Sequence, residues 1–443
     1  MIPLTHLVKE VNLVQTQMAN QADDSSPSMR KGSLRKPRPA VGGNREGTAN
    51  ELLRLLRRDS PLSRADLVRS SGLTAPTVSA GIAKLMRHNL VIELGQGSSN
   101  GGRPPGLLEF NSRYGYVIGV DIGGSSVRVA LADLKGSVVG RWNARLKADR
   151  SPSLLTRTVA DAVTHLLSQH RIPAKRVLEV VAGAPGVTDV AAGHVLSAPN
   201  LTDWHDVPFR DMLQGELRIP VTVENDVNLG ALGEGWRGAA QGTGNFVFLA
   251  VGTGVGAGIV LNHALHHGAK WSAGEVGYML LPGLPSDPLG ADQLGALESV
   301  VGGKSIEQSW SEESRPADGS RKMKATEIFD FAAAGDSNAR GLMMSVAHYL
   351  AMAITNLSLV LDLSMVVLGG GVGEHPALLE AIRRKLDSNE FARPRLVMSS
   401  LGGEAQICGA IWLALRTCEA SGFRRRSLET ETAASRTAVL TGT

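Results

Sequence analysis

Apolar residues first recur at helical spacing over 50–58, where Leu52, Leu53, Leu55 and Leu56 share a face and Asp59-Ser60-Pro61 ends the run. Ser63 is placed to cap a second helix over 64–70, with Asp66 in its first turn to meet the positive helix end. Ser71-Gly72-Leu73 turns the chain, and Thr74 is placed to cap a third helix whose first turn tolerates Pro76. Within that helix Val78, Ile82 and Leu85 fall at i, i+4 and i+7 and predict one buried face. Residues 90–94 and 106–110 read as a strand and its return, joined by a Gly-, Ser- and Pro-rich stretch that carries Arg103.

Beyond residue 111 the pattern changes to short apolar runs broken by glycine. Strands are predicted over 116–120, 127–133, 177–182, 219–223, 246–251 and 365–368. Helices are predicted over 151–170, 338–362 and 405–418, the second carrying Leu342, Val346, Leu350, Ile354 and Leu357. Strands interleaved with helices make this an α/β domain. Residues 309–322, rich in Ser, Glu and Arg, read as an exposed loop. Four segments follow: a basic tail over 1–46 expected to be disordered, a small domain over 47–110, a large one over 111–420 in two lobes (about 111–227 and 228–420), and a second disordered tail over 421–443.

The small domain is a helix, a helix-turn-helix and a ribbon, the order of a winged helix. Three helices could also form a plain structural bundle, but residues 74–88 contain no acid. Thr74, Thr77, Ser79 and Lys84 offer short polar groups and a cation away from the buried face, and Arg103 tips the wing; that set suits phosphate and base edges of DNA. The net charge of +4 is too small to argue for DNA alone, so the placement of charge carries the reading. Arg30, Lys31, Arg35, Lys36, Arg38 and Arg45 make the leading tail a solvated segment that is also able to touch phosphate. At 443 residues the chain has room for two or three domains. The sequence shows no export signal and no uninterrupted apolar run of membrane-spanning length, and its two cysteines cannot frame a disulfide scaffold. A cytoplasmic protein without a membrane partner is expected.

The chemistry concentrates between residues 224 and 298. Glu224-Asn225-Asp226-Val227-Asn228 follows a strand-like run, a position that holds carboxylates over a ligand in α/β proteins. Gly252-Thr253-Gly254-Val255-Gly256-Ala257-Gly258 reads as one flexible loop able to approach an anion, or as a tight turn if taken alone. Glu275 and Glu298 add two carboxylates. In this order the motifs look like a sugar site beside a nucleotide site.

With these motifs the chain resembles the ROK family of bacterial sugar kinases and sugar-responsive repressors, over roughly residues 46–418. Ser-Arg-Ala-Asp-Leu and Thr-Val-Ser in the winged helix resemble the DNA-binding domain of the family's repressors. The resemblance implies a two-lobed actin-like, ribonuclease-H-like domain. It implies that Asp121, with Gly123 and Gly124, forms a first phosphate loop in which the Asp helps hold magnesium. Gly252, Thr253, Gly254, Gly256, Gly370 and Gly371 would complete the nucleotide side. Asn200, Asn225, Glu275 and Glu298 map onto sugar contacts, and Asp226 onto the general base of the kinases. The family's structural zinc has no counterpart: Tyr278 stands at the His position, and 289–298 contains no cysteine.

The function implied is a transcriptional regulator, a repressor, that binds operator DNA as a homodimer or homotetramer and responds to a sugar. The alternative is an ATP- and magnesium-dependent sugar kinase with an attached DNA-binding domain, Asp226 acting as base.

Overall fold

The computed structural model describes residues 45–96, 106–146, 150–198, 201, 203–284, 294–314, 323–387, 390–391 and 393–423. The chain divides into units 1–47 and 48–443; of the first, only the start of one helix is described.

The winged helix comprises α1 (Arg45–Asp59), β1 (Leu62–Ser63), α2 (Arg64–Ser71), α3 (Ala75–Arg87), β2 (Val91–Gln96) and β3 (Gly106–Phe110). Ser63 and Asp66 form the expected reciprocal cap. The Ser63 hydroxyl accepts the Asp66 amide at 3.2 Å, and the Asp66 carboxylate accepts the Ser63 amide at 2.9 Å. Thr74 departs from expectation: it stands at the N-cap of α3, but its hydroxyl pairs with that of Thr77 at 2.8 Å instead of capping the backbone. Pro76, which has no amide hydrogen, leaves the first turn one donor fewer to satisfy. Strands β1, β3 and β2 form an antiparallel ribbon in that order. Arg103 and the rest of the wing tip, 97–105, lie outside the described residues.

The large domain holds two five-stranded sheets. The first uses β4 (Tyr116–Ile122), β5 (Ser126–Asp133), β6 (Val138–Arg145), β7 (Val177–Ala184) and, after a small sheet of β8 (Val187–Asp189), β9 (His194–Ser197) and β10 (His205–Val207), β11 (Val221–Asn225). Helices α4 (Pro152–Gln169), α5 (Phe209–Leu217) and α6 (Asp226–Arg237) belong to this half. The second sheet uses β12 (Phe246–Val251), β13 (Val255–Leu261), β14 (Ala264–Leu265), β15 (Met365–Gly369) and β16 (Arg395–Met398). Its helices are α7 (Glu298–Val301), α8 (Gly303–Ser314), α9 (Ala325–Ala334), α10 (Ser337–Leu361) and α11 (Pro376–Leu386), and α12 (Ala405–Ala420) ends the described chain.

The sheets repeat one plan. The first runs β6-β5-β4-β7-β11 and the second β14-β13-β12-β15-β16, each with an antiparallel meander followed by two parallel strands. This is the actin-like, ribonuclease-H-like fold joined to a winged helix. Two local expectations change. Residues 309–314 continue α8 rather than forming a loop, since Ile306 is buried and Trp310 packs on the same core; 315–322 lie outside the described residues. Helix α10 is long and apolar enough to cross a membrane by length and composition. Here Val346, Leu350 and Ile354 are buried in the second lobe's core, beside α9 and α11.

Helix α12 connects the parts. It lies on β4, where a side chain at Gly119 would press on Ala410 and Ile407, and it crosses α6 at backbone contact. A Cβ at Gly409 would fall on the Leu229 carbonyl, and one at Gly233 on the Ala405 carbonyl. The same apolar cluster includes Leu52, Leu56, Val78 and Phe110 of the winged helix, Val117 and Ala130 of the first sheet, Leu229 of α6, and Ile411 and Ala414 of α12. Arg57 of α1 closes this seam. It pairs with Glu419, and its guanidinium stands 5.6 Å from the Phe110 ring centroid and 5.1 Å from that of Phe423. Burial pushes its pKa down to about 10. Gly409→Val should therefore destabilise the protein by about 3 kcal/mol, because two backbones in contact cannot relax around a side chain. Gly341→Ala, on the open face of α10, should instead stabilise by about 0.5–1 kcal/mol. Denaturant unfolding of both variants checks the pair; equal effects would contradict the close crossing.

Candidate functional site

The carboxyl ends of the parallel strands converge on one cleft, as α/β sheets arrange for ligands. It holds a cavity of about 240 Å³, at the small end for small-molecule sites. Strand β7 delivers Pro185 and Gly186 to it, β11 and α6 deliver Asn225 and Asp226, β12 delivers Gly252 to Gly254, and β15 delivers Gly370.

Glu224 is the buried anchor of this wall. One oxygen accepts the Asn225 amide and Asn228 Nδ2, each at 2.9 Å, and the other lies 2.9 Å from His267 Nε2. Asn225 caps α6: its Oδ1 accepts the Asn228 amide at 2.9 Å, while its Nδ2 donates to the Gly186 carbonyl at 2.9 Å. It ties the helix to the loop over the cavity, which leaves one amide hydrogen for a ligand. Asp226 opens α6, accepts the Val227 amide at 2.9 Å and lines the cavity. Glu275 and Glu298 line it from the other lobe, with Glu298 Oε2 accepting the Val255 amide at 3.0 Å. Asn200 lies outside the described residues.

The glycine segment is not the single loop expected. Only 252–254 turns, and Val255 onward is strand β13, hydrogen-bonded to β12. Gly256 and Gly258 are strand residues made small by α6, since a Cβ would press on Val227 at Gly256 and on Ala231 at Gly258. Gly256 still borders the cavity, with Gly124, Gly252, Thr253, Gly254 and Gly370. Gly370 has φ 79° and sits against the Val251 carbonyl, a place only glycine fills without strain. Gly252 and Gly371 face open space, while the Gly252 amide donates to the Gly254 carbonyl at 2.9 Å.

Asp121 ends in β4 beside these turns, buried and paired across the ladder with Arg128, whose Nε (2.8 Å) and Nη2 (2.6 Å) both reach its Oδ2. A magnesium ion at this carboxylate would share it with a guanidinium. The zinc positions do not fit a metal: Tyr278 and Ala296 offer neither imidazole nor thiolate, and Leu289 and Ala291 lie outside the described residues. Among the described residues no group of three or more His, Cys, Asp or Glu is placed to hold an ion.

Of the proposed DNA contacts, Thr74 and Ser79 are exposed on α3 and Thr77 and Lys84 are half-buried. Glu224, His267, Trp271 and Arg128 were not singled out from sequence as site residues. His267 and Trp271 precede the Glu275 motif, and only their proximity in that segment hinted at a role.

Burial pushes the Asp226 carboxyl up to about 8, helped by the charges of Asp121 and Glu275 and opposed by the Val227 amide. Burial and the neighbouring Glu298 push Glu275 up to about 7. Both folded values exceed the unfolded ones near ~4, so across the interval between them the folded protein holds protons the unfolded chain has released. That contribution is fully present at acid pH and is lost as pH rises through 7 to 8. Asp226→Asn is expected to flatten this fall across the whole interval from ~4 to about 8, and Glu275→Gln only up to about 7, read from thermal unfolding midpoints at a series of pH values. Identical slopes in wild type and both variants would remove the carboxyl pair as the cause.

Comparison with known proteins places the chain in a family. The ROK family model matches residues 117–417. A glucokinase of Halalkalibacterium halodurans is 32% identical over 314 residues, covering 67% of this chain and 94% of the glucokinase. A xylose repressor of Bacillus spizizenii is 29% identical over 363 residues, covering 81% of this chain and 92% of the repressor. Among solved structures, a ROK family transcriptional regulator homologous to the E. coli MLC protein superposes with a TM-score of 0.68 at 20% identity, covering 86% of this chain and 97% of that one. With residues 117–417 matched, well over half of its length, the chain belongs to the ROK family.

Proposed function

We infer that the chain is a sugar-responsive transcriptional repressor: its winged helix binds operator DNA, and a sugar in the cleft alters that binding. The observation that carries the reading is the apolar cluster common to the winged helix, α6 and α12. It ties the acid-free helix α3 to the helix that begins with Asp226. The similarity to a xylose repressor over 363 residues supports it, since that match is longer than the 314 residues shared with a glucokinase. Asn225, Asp226, Glu275 and Glu298, with Asn200, would pair with sugar hydroxyls, because polar groups left unmatched in such a site cost affinity. A single winged helix contacts too little DNA for tight specific binding, so a symmetric dimer or larger assembly is the working form.

One observation favours a second reading, sugar kinase activity. Asp226, with its pKa near 8, lines the same cavity as the glycine turns, an arrangement suited to a general base beside a phosphoryl donor. Arg128 on Asp121 weighs against it, because the carboxylate proposed for magnesium already has a cationic partner.

The two separate in one set of measurements on the full chain. D-glucose and D-xylose are titrated by calorimetry, and gel shifts on the DNA upstream of its own gene are run with and without each sugar. A sugar that binds should change DNA affinity at least about fivefold. Asp226→Asn should weaken that sugar while leaving sugar-free DNA binding nearly intact. Equal sugar affinity for free and DNA-bound protein would sink the repressor reading, and ATP-dependent phosphorylation of the sugar would establish the other.

A further inference from the structure

Trp271 holds a backbone conformation that large side chains rarely adopt, with φ at 63°. Such strain persists where the surroundings over-determine it, and it gathers at ligand sites. The residue lies in the segment leading to Glu275 and lines the same cavity as Asp226, Glu275 and Glu298. Its ring meets the His267 ring edge-on, with centroids 5.3 Å apart and planes at 66°. His267 Nε2 is in turn 2.9 Å from Glu224, whose other oxygen holds Asn225 and Asn228 at the start of α6. The indole is therefore braced from the same buried carboxylate that sets the first turn of α6, and its orientation follows that of the cavity wall.

Polar groups and small apolar residues share the wall, and among the described residues that line it only Trp271 and Tyr278 offer an aromatic face. Carboxylates and an amide match hydroxyl groups, yet a pyranose also presents a face of C–H bonds that none of them can satisfy. An indole face carries the negative end of the ring quadrupole, which attracts the slightly positive hydrogens of such C–H bonds, and it buries apolar area as it does so. We propose that Trp271 is the stacking platform for the C–H face of the bound sugar and selects pyranoses whose hydroxyls are equatorial on that face. An axial hydroxyl there would point into the indole and lose its water without gaining a partner. The inference rests on the sugar-site reading above and adds to it a class of ligand.

The test uses D-glucose, D-xylose, D-galactose and D-mannose as probes, titrated by calorimetry into the full-length wild type, Trp271→Gly and Trp271→Phe. Glycine accepts the left-handed backbone without strain, so Trp271→Gly should fold at least as stably as wild type, with an equal or higher Tm. Wild type should bind the two all-equatorial sugars, D-glucose and D-xylose, more tightly than D-galactose and D-mannose, whose axial hydroxyls at C4 and C2 project from the same ring face. Trp271→Gly should lose about fivefold to tenfold for the sugar preferred by wild type and lose the preference itself. Trp271→Phe should retain most of both. Equal affinities in wild type and Trp271→Gly overturn the platform while leaving the sugar site standing. Binding of none of the four sugars to wild type overturns the site and the platform together.

Discussion

The contact between α6 and α12 is the constraint on which the rest of the structure depends. Gly233 and Gly409 let two helix backbones touch, which brings α12 flat onto β4 and leaves α6 directed at the cleft. Because α6 starts with Asp226 and α12 carries the apolar seat of the winged helix, one helix pair joins both chemical ends of the molecule. Packed cores respond to strain by shifting as units, not by bending smoothly. A displacement of α6 therefore has a short, rigid route to the winged helix. Arg57, set against the Phe110 and Phe423 rings and paired with Glu419, marks the point where that route crosses from one domain to the other.

The cleft stores unfavourable electrostatics. Asp226, Glu275 and Glu298 line one small cavity, and burial together with mutual repulsion raises the first two carboxyls. Ligand hydroxyls that donate to these oxygens relieve both penalties at once, which is why a neutral polyol suits the site better than an anion does. The glycine turns opposite carry no charge and leave open space at Gly252 and Gly371. Beside them Asp121 is held in a cross-strand pair with Arg128.

Much of the architecture was legible from periodicity. The capped helix at Ser63, the buried face of Val78, Ile82 and Leu85, and the run into Asp226 follow from local patterns that tertiary packing reinforces. The misreadings share a cause. Gly256 and Gly258 look like a loop in sequence because glycine signals flexibility, but their reason is the approach of α6, a partner far away along the chain. Residues 309–314 look like a polar loop because most of them are polar, while Ile306 and Trp310 supply enough apolar surface to seat a helix. Thr74 reads as a capping residue, yet its hydroxyl finds Thr77 instead.

By itself, the sequence determined the element types, the order of the motifs and the identity of the chemistry-bearing groups, since each depends on neighbours a few residues away. Only the tertiary structure decided what those groups do for one another. Glu224 reads in sequence as a carboxylate held over a ligand, but folding buries it beside His267 and, through that ring, braces Trp271 at the cavity. Asp121 reads as a metal-side carboxylate until strand register places Arg128 opposite it. The raised carboxyls of Asp226 and Glu275 likewise arise from shared burial between lobes that are distant in sequence. The physical reason is range: propensity and periodicity act over a turn or two of chain, whereas desolvation and charge pairing act across whatever the fold brings within a few ångströms.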